Sequence, residues 1–265
     1  MDGSFRAPTM GRVNWIGLWT LYLREVRRFI KVYTQTLVAP MVTTLLFLAV
    51  FALALGGSTR VVGDLPFLEF LAPGLVVMAI AQNAFANTSS SIVIAKVQGN
   101  IVDTLMPPFT AHELTFAIAM GGVTRGVMVG VVVAAAMLPF VPMQIHALWF
   151  IVYHAFMASL MLSLLGIAGG IWSEKFDHIA AVTNFVVTPL AFLSGTFYSI
   201  LQLPEAAQIA AHLNPFFYMI DGLRYGVTGH ADGSLVAGIA TMAGVNAALW
   251  ALTTWMFASG YKLKA

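Results

Sequence analysis

Apolar stretches long enough to cross a lipid bilayer dominate this chain. A helix that crosses the ~30 Å hydrocarbon core needs ~20 mostly apolar residues, and such stretches follow one another here with only short connections. Charged residues make up just 9% of the chain, whereas soluble domains carry roughly 25%. We therefore predict an all-α integral membrane protein, with no length left over for a soluble catalytic domain.

Six membrane spans are predicted. They lie at about residues 35–55, 67–93, 114–138, 148–172, 179–199 and 235–258. Together they form a transmembrane domain over residues 34–258, preceded by a polar tail (1–13) and an interfacial helix (14–33) and followed by a short tail (259–265).

The segment 14–33 predicts an amphipathic helix. At ~100° per residue, its apolar residues fall on one half of the helical wheel, and Leu21 is the exception. A helix with Trp15 on its apolar face and basic residues on the other lies in the plane of the membrane interface. The basic face either only anchors the chain and sets its topology, or also docks a cytoplasmic partner through Arg24 and Arg28.

Residues 202–232 are too polar for a lipid-facing span and too apolar for a solvated loop. Pro204 marks one helix start, and Asn214 followed by Pro215 marks another. We predict a re-entrant hairpin of two short helices at about 203–229. Such backbone is tolerated at membrane depth only where it packs on protein or lines a cavity.

This hairpin is a candidate outer gate, with its hinge near Gly195 or Asn214. Asp221 and Arg224 stand three residues apart on the second helix. There they can form an ion pair, which favours a structural role over substrate binding. The residues assigned to the gate are Gly195, Pro204, Asn214, Pro215, Asp221 and Arg224. Whether the hairpin gates a path or only plugs it stays open.

Two predicted spans carry polar stripes. Asn83, Asn87 and Ser90 share one face of the second span, and Asn184 and Thr188 lie on the fifth. Polar side chains inside spans usually face protein or water. These side chains therefore either hydrogen-bond a neighbouring helix or line a translocation path.

Small residues predict close helix packing in the third and fourth spans. The two ridges are Gly122, Gly126 and Gly130 on the third span, and Ser159, Ser163, Gly166 and Gly170 on the fourth. Arg125 lies beside the first ridge. Because a mid-span charge costs ~2.5–3.5 kcal/mol on insertion scales, we expect Arg125 to face protein or water, with a structural role.

The distribution of basic residues orients the chain. The two termini, the segment 94–113 and the loop 173–178 share one side when six spans are counted, and they carry all but three of the 13 Lys and Arg residues. Basic residues concentrate on cytoplasmic connections, so both termini are predicted to be cytoplasmic. Counting residues 203–230 as a seventh span would weaken this bias.

The sequence lacks the signatures of catalysis. No GxxxxGK[ST] phosphate-binding loop, GxSxG or HExxH motif occurs, cysteine is absent, and the six histidines are scattered. We predict no catalytic residue, no metal site and no bound cofactor. The predicted spans also lack paired carboxylates, the usual mark of an ion-driven carrier.

Five segments in order resemble the permease subunits of type-2 ABC exporters. They are FLAPGLVVMAI (70–80), GNIVDTLMPPFTAHEL (99–114), GGVTRG (121–126), PLAFLSGTFYSILQLP (189–204) and NPFFYMIDGLRYG (214–226). The second segment is similar to the family's coupling segment at Gly99, Asp103, Leu105, Pro108, Glu113 and Leu114, whereas Asn100 replaces the usual Thr. Residues 95–113 leave room for one short helix around Asn100–Met106.

The resemblance implies a six-span permease in the bacterial inner (plasma) membrane, surrounded by lipid and acting as a homodimer or heterodimer. It implies two copies of a separate ATP-binding cassette subunit, which binds ATP and magnesium, and no nucleic-acid partner. Docking on that subunit would involve Arg24, Arg28, Gly99, Asp103, Leu105 and Pro108. Substrate would pass between the permeases along Asn83, Asn87, Ser90, Asn184 and Thr188, and the hairpin would lie on the outer side.

Two alternatives to an exporter permease remain open at this point. The chain is either such an exporter permease, or a polytopic scaffold or receptor that signals to a cytoplasmic partner, or an ATP-independent carrier. The modestly polar candidate path allows an amphipathic drug, a lipid or a lipid-linked glycan as cargo.

Overall fold

The computed structural model describes residues 13–54, 61–62 and 65–263. Most of the predicted tail 1–13 and the last two residues of the tail 259–265 lie outside this part of the chain. The described residues are almost wholly helical, as predicted. A pair of very short strands between the first two spans is a regular element that the sequence did not predict.

The helices are α1 (Trp15–Ile30), α2 (Ala39–Ala54), α3 (Phe67–Val97), α4 (Ile101–Leu105), α5 (Ala111–Met137), α6 (Leu148–Trp172), α7 (Phe176–Val182), α8 (Thr188–Phe192), α9 (Glu205–Leu213), α10 (Pro215–Thr228) and α11 (Leu235–Ser259). The π-helical turns Thr34–Val38 and Thr183–Val187 lead into α2 and α8, and Ile200–Gln202 forms a 3₁₀ turn. The strands β1 (Val61–Val62) and β2 (Leu65–Pro66) pair antiparallel.

Five of the described helical stretches are long and apolar enough to cross a membrane. They are Thr34–Ala54, Phe67–Val97, Ala111–Met137, Leu148–Trp172 and Leu235–Ser259. Each one coincides with a predicted span, so an integral membrane protein with several spans is confirmed.

The predicted span 179–199 corresponds to a shorter helical stretch, Phe176–Phe192. This stretch ends where the hydroxyls of Ser194 and Thr196 both donate to the carbonyl of Ala191. Gly195 then adopts a left-handed φ of 72°, a conformation that glycine tolerates without strain. The helix therefore ends well before residue 199, where the sequence predicted its end.

The long helix α3 forms the centre of the bundle, packed between α5 and α6. A Cβ added at Gly126 of α5 would lie 3.1 Å from the Cβ of Ala84, and one at Gly166 of α6 would lie 2.7 Å from the carbonyl oxygen of Phe85. Only glycine allows backbones to come this close. The predicted close packing along both small-residue ridges is confirmed.

The helix α1 packs on the bundle through a side that the sequence did not predict. Leu21, Glu25 and Phe29 are buried, whereas Trp15 and Trp19 on the apolar half of the wheel are exposed. Leu21, the exception on the wheel, is thus a packing contact. The exposed tryptophans are free to enter the interface of a bilayer, where such rings prefer to lie.

One end of the bundle gathers the elements that the charge pattern assigned to a single side. Four side-chain contacts hold it together: Glu113 with the backbone N–H of Asn14 (2.8 Å), Arg24 with Thr104 (3.0 Å), Lys96 with the carbonyl of Ser173 (2.6 Å) and Lys262 with Glu174 (3.1 Å). We call this the α4 end. The helices α9 and α10 lie near the start of α3, at the opposite end.

Candidate functional site

The helix α4 is the exposed tip of the α4 end. Gly99 turns the chain after α3 with a left-handed φ of 73°. Ile101 and Thr104 are buried and anchor the helix, while Asp103 and Pro108 are exposed and Leu105 is half-buried. The short helix predicted around Asn100–Met106 is confirmed, and Asp103 lies on its exposed side.

Glu113 ties the start of α1 to the start of α5. Its carboxylate accepts hydrogen bonds from the backbone N–H of Thr110 (2.7 Å) and of Asn14 (2.8 Å). The first bond completes a capping box at the N-terminus of α5. Sequence reasoning missed this role, although a Thr three residues before a Glu, ahead of an apolar helix, is the capping-box signal.

A cleft of about 900 Å³ separates α1 from α4 and the adjoining end of α3. Its lining is rich in basic side chains from α1 and its C-cap, and Asp103 and Thr104 face them from α4. The basic residues of the lining are Arg24, Arg27, Arg28 and Lys31. Arg24 donates to the hydroxyl of Thr104 and bridges the cleft.

The polar stripe on α3 is engaged by cationic side chains of two other helices. Arg125 of α5 donates to Asn83 (2.9 Å). Arg28 of α1 donates to the hydroxyl of Ser90 and to the side-chain oxygen of Asn87 (3.1 Å each). Bonding to a neighbouring helix, one of the two roles predicted for this stripe, is thus what the structure shows. The expected protein contact of Arg125 is confirmed.

Asn83 also lines a groove of about 360 Å³ between α2, α3 and the end of α8. Polar and aromatic side chains share its lining. They include Gln35, Thr43, Gln82, Phe47, Phe192 and Phe197. This mixture suits an amphipathic molecule, because apolar walls bind its body while a few polar groups orient it.

Asn184 and Thr188 lie apart from the α3 stripe. Asn184 is exposed and Thr188 is half-buried, and among the described residues neither side chain forms a hydrogen bond. The structure therefore brings Asn83, Asn87 and Ser90 together on one helix but leaves the fifth-span pair on a separate, open face.

The predicted hairpin consists of α9 and α10, and its second helix packs on protein. Asn214 is the N-cap of α10 and accepts from the backbone N–H of Phe216 (3.0 Å), as predicted. Its amide also donates to the carbonyl of Leu190 (2.9 Å), which ties the hairpin to α8. Pro204 precedes α9 as its N-cap, and Pro215 is the first residue of α10.

Arg224 fixes α10 to the rest of the bundle. It is fully buried and donates to the carbonyls of Phe70 (3.2 Å) and Gly195 (2.7 Å). Its guanidinium lies 3.8 Å from the carboxylate of Asp221, which itself accepts from the backbone N–H groups of Asp232 and Gly233. The predicted pairing of Asp221 with Arg224 is confirmed, and both residues serve the fold.

The loop after α6 is held by two lysines at the α4 end. Lys96 donates to the carbonyl of Ile171 in the last turn of α6 and to that of its C-cap, Ser173. A cation is stabilised there by the negative end of the helix dipole. Lys262 hydrogen-bonds Glu174, and this bond lowers the pKa of the Glu174 carboxyl. Within the described residues, no three His, Asp or Glu side chains converge as a metal site would require.

This chain is similar to known membrane transport proteins over most of its length. The profile of the ABC-2 type transporter family matches residues 17–228, a range that includes α4, the α3 stripe and the hairpin. The inner membrane transport permease YadH of Escherichia coli (strain K12) is 38% identical over 227 residues, which cover 86% of this chain and 89% of that protein.

More distant relatives cover a similar length. Nodulation protein J of Rhizobium leguminosarum bv. trifolii is 25% identical over 238 residues, 86% of each chain. Nodulation protein J of Sinorhizobium fredii (strain NBRC 101917 / NGR234) is 24% identical over 236 residues. The family profile extends from α1 to α10, and the transport permease is 38% identical over 86% of this chain, so this chain belongs to the ABC-2 type transporter family.

Proposed function

We propose that this chain is the permease subunit of an ATP-binding cassette exporter in the bacterial inner membrane. The permease forms the substrate path, and a separate subunit binds ATP and magnesium and hydrolyses the nucleotide. The observation that carries the proposal is the match to a transport permease at 38% identity over 86% of the chain.

The proposed topology has six spans with both termini in the cytoplasm. The Phe176–Phe192 stretch, continued by the turn at Gly195, is the fifth crossing in chain order and brings their number to six. Support comes from the contacts that gather α1, α4, the loop after α6 and the end of α11 at one end of the bundle, where basic residues concentrate. The hairpin of α9 and α10 then lies on the outer side as a lid.

The proposed complex contains two permeases and two ATP-binding subunits. Arg24, Arg28, Gly99, Asp103, Leu105 and Pro108 form the docking surface at the α4 end. Cargo moves between the permeases, along the α3 stripe and the face that carries Asn184 and Thr188. The groove beside Asn83, with its aromatic and polar lining, supports an amphipathic cargo.

Co-purification from the native membrane tests this proposal. An affinity tag on the permease is expected to retain an ATP-binding cassette subunit in a one-to-one ratio, and the retained complex is expected to hydrolyse ATP. A tagged permease that is purified from mild detergent without any nucleotide-hydrolysing protein would contradict the proposal.

A further inference from the structure

We infer that Glu25 and Arg28 form a positioning pair that transmits movement of the docking surface to the polar stripe on α3. The inference rests on the proposed function, because it assumes that an ATP-binding subunit docks at the α4 end. Glu25 and Arg28 then connect the docking surface to the proposed substrate path.

Glu25 is the centre of the contacts. It is only 1% exposed, which is unusual for a carboxylate, and its two oxygens lie 3.1 Å from the guanidinium groups of Arg24 and Arg28. A Cβ at Gly121 would fall 2.5 Å from the Cβ of Glu25, so α1 and α5 meet here with no side chain between them.

The two arginines extend from Glu25 in different directions. Arg24 reaches the hydroxyl of Thr104 on α4 (3.0 Å). Arg28 reaches the hydroxyl of Ser90 (3.1 Å) and both the backbone and side-chain oxygens of Asn87 on α3. One buried carboxylate thus connects the exposed tip α4 with the stripe on α3.

The chemistry of these contacts makes the connection stiff. Arginine presents its donors in a planar fork, so a pair of bonds to one helix fixes direction as well as distance. Separating Arg28 from its partners would leave a buried carboxylate and buried acceptors with fewer partners, which is unfavourable. A shift of α1 or α4 on docking therefore moves Asn87 and Ser90 rather than breaking the contacts.

The absence of cysteine from the natural chain allows a clean test. Gln82→Cys places one thiol on the exposed face of α3 beside the groove. In the complex with the co-purified ATP-binding subunit, the rate of maleimide labelling at this thiol is measured with and without ATP and vanadate.

The test variant is the double substitution Glu25→Gln/Arg28→Met, which removes both charges together and leaves no buried charge unpaired between them. The matched control is Tyr22→Phe, which removes the hydrogen bond of Tyr22 to Thr124 (2.9 Å) and so weakens α1 against α5 instead of α3. Arg28→Lys keeps the charge but loses the fork, and provides the same comparison if the double variant does not fold.

We expect ATP to change the labelling rate in the wild-type background and in Tyr22→Phe. In the double variant the ATP-induced change in labelling, divided by the ATPase rate of the same preparation, is expected to fall about tenfold, within the usual range of coupling between sites. A merely structural pair would lower complex yield, ATPase rate and labelling response in parallel.

The results distinguish the positioning role of Glu25 and Arg28 from the exporter proposal. A double variant whose thiol responds to ATP as the wild type does would overturn the positioning role and leave the exporter proposal intact. A wild-type complex that hydrolyses ATP without any ATP-dependent change at position 82 would also overturn the positioning role, whereas a permease that retains no ATP-hydrolysing subunit would overturn the exporter proposal.

Discussion

Gly166 shows how a single residue sets the spacing of the membrane bundle. It lies on α6 where a Cβ would meet the carbonyl oxygen of Phe85 at 2.7 Å and the backbone nitrogen of Ser89 at 3.2 Å. Neither backbone atom can rotate away as a side chain would. Between membrane helices the stabilisation comes from van der Waals packing rather than from the exclusion of water. A side chain that forces α6 away from α3 therefore lowers the free energy of unfolding.

Gly166→Ala is therefore expected to destabilise the protein by ~1–3 kcal/mol, the usual cost of an overpacked core. Gly244→Ala is the matched control, because nothing lies within 4 Å of a Cβ at this glycine of α11. Thermal unfolding in detergent is expected to show a lower midpoint for the first variant and an equal or higher one for the second. Equal midpoints for Gly166→Ala and the wild type would contradict the packing argument.

At the scale of helices, sequence patterns predicted where a helix lies along the chain better than which of its sides packs on protein. The periodicity of residues 14–33 located α1 but left Leu21 as an exception on the polar half of the wheel. In the structure, Leu21 packs on protein while Trp15 is exposed. A helical wheel cannot predict this packing, since the protein-facing side of α1 includes the carboxylate of Glu25, which the arginines of the same helix neutralise.

The polar stripe on α3 shows the same limit. The spacing of Asn83 and Asn87 placed them on one face, but their partners Arg125 and Arg28 come from helices distant in the chain. Tertiary contacts of this kind leave no local signal. Short-range signals did succeed, for example at Asn214, where the side chain caps its own helix.

Asp103 is exposed on α4, at the tip of the proposed docking surface. Asp103→Lys reverses an exposed charge on the proposed docking tip, and we expect membrane insertion to persist while ATP hydrolysis no longer drives transport. Glu205→Lys is the control, because it makes the same change at an exposed acid in the hairpin at the opposite end. Transport and ATPase rates are compared in liposomes. Unchanged transport by Asp103→Lys would argue against docking at α4.

On the scale of the whole molecule, the described bundle leaves one face poorly covered. The stretch Phe176–Phe192 exposes Asn184 and Phe185, the latter by 81%, and it makes few contacts with α3 and α6. An exposed amide in a membrane stretch is unfavourable against lipid. A second permease that covers this face would relieve that cost and enclose a path.

Cross-linking in native membranes tests this arrangement. Asn184→Cys, in a chain with no other cysteine, is expected to form a disulfide-linked dimer of permeases under mild oxidation. Val236→Cys on α11 is equally suitable as an exposed control, since Val236 is 77% exposed, and it is expected to remain monomeric. Dimers through position 236 but not 184 would place the interface elsewhere.

The most direct test of the whole account is transport by the purified protein in liposomes. The permease is reconstituted alone and together with its ATP-binding subunit, and the movement of an amphipathic dye, a labelled phospholipid and a lipid-linked oligosaccharide is followed. The account predicts no movement of any probe by the permease alone, and ATP-dependent movement of at least one by the complex. Transport of a probe by the permease alone, without nucleotide or partner, would contradict it.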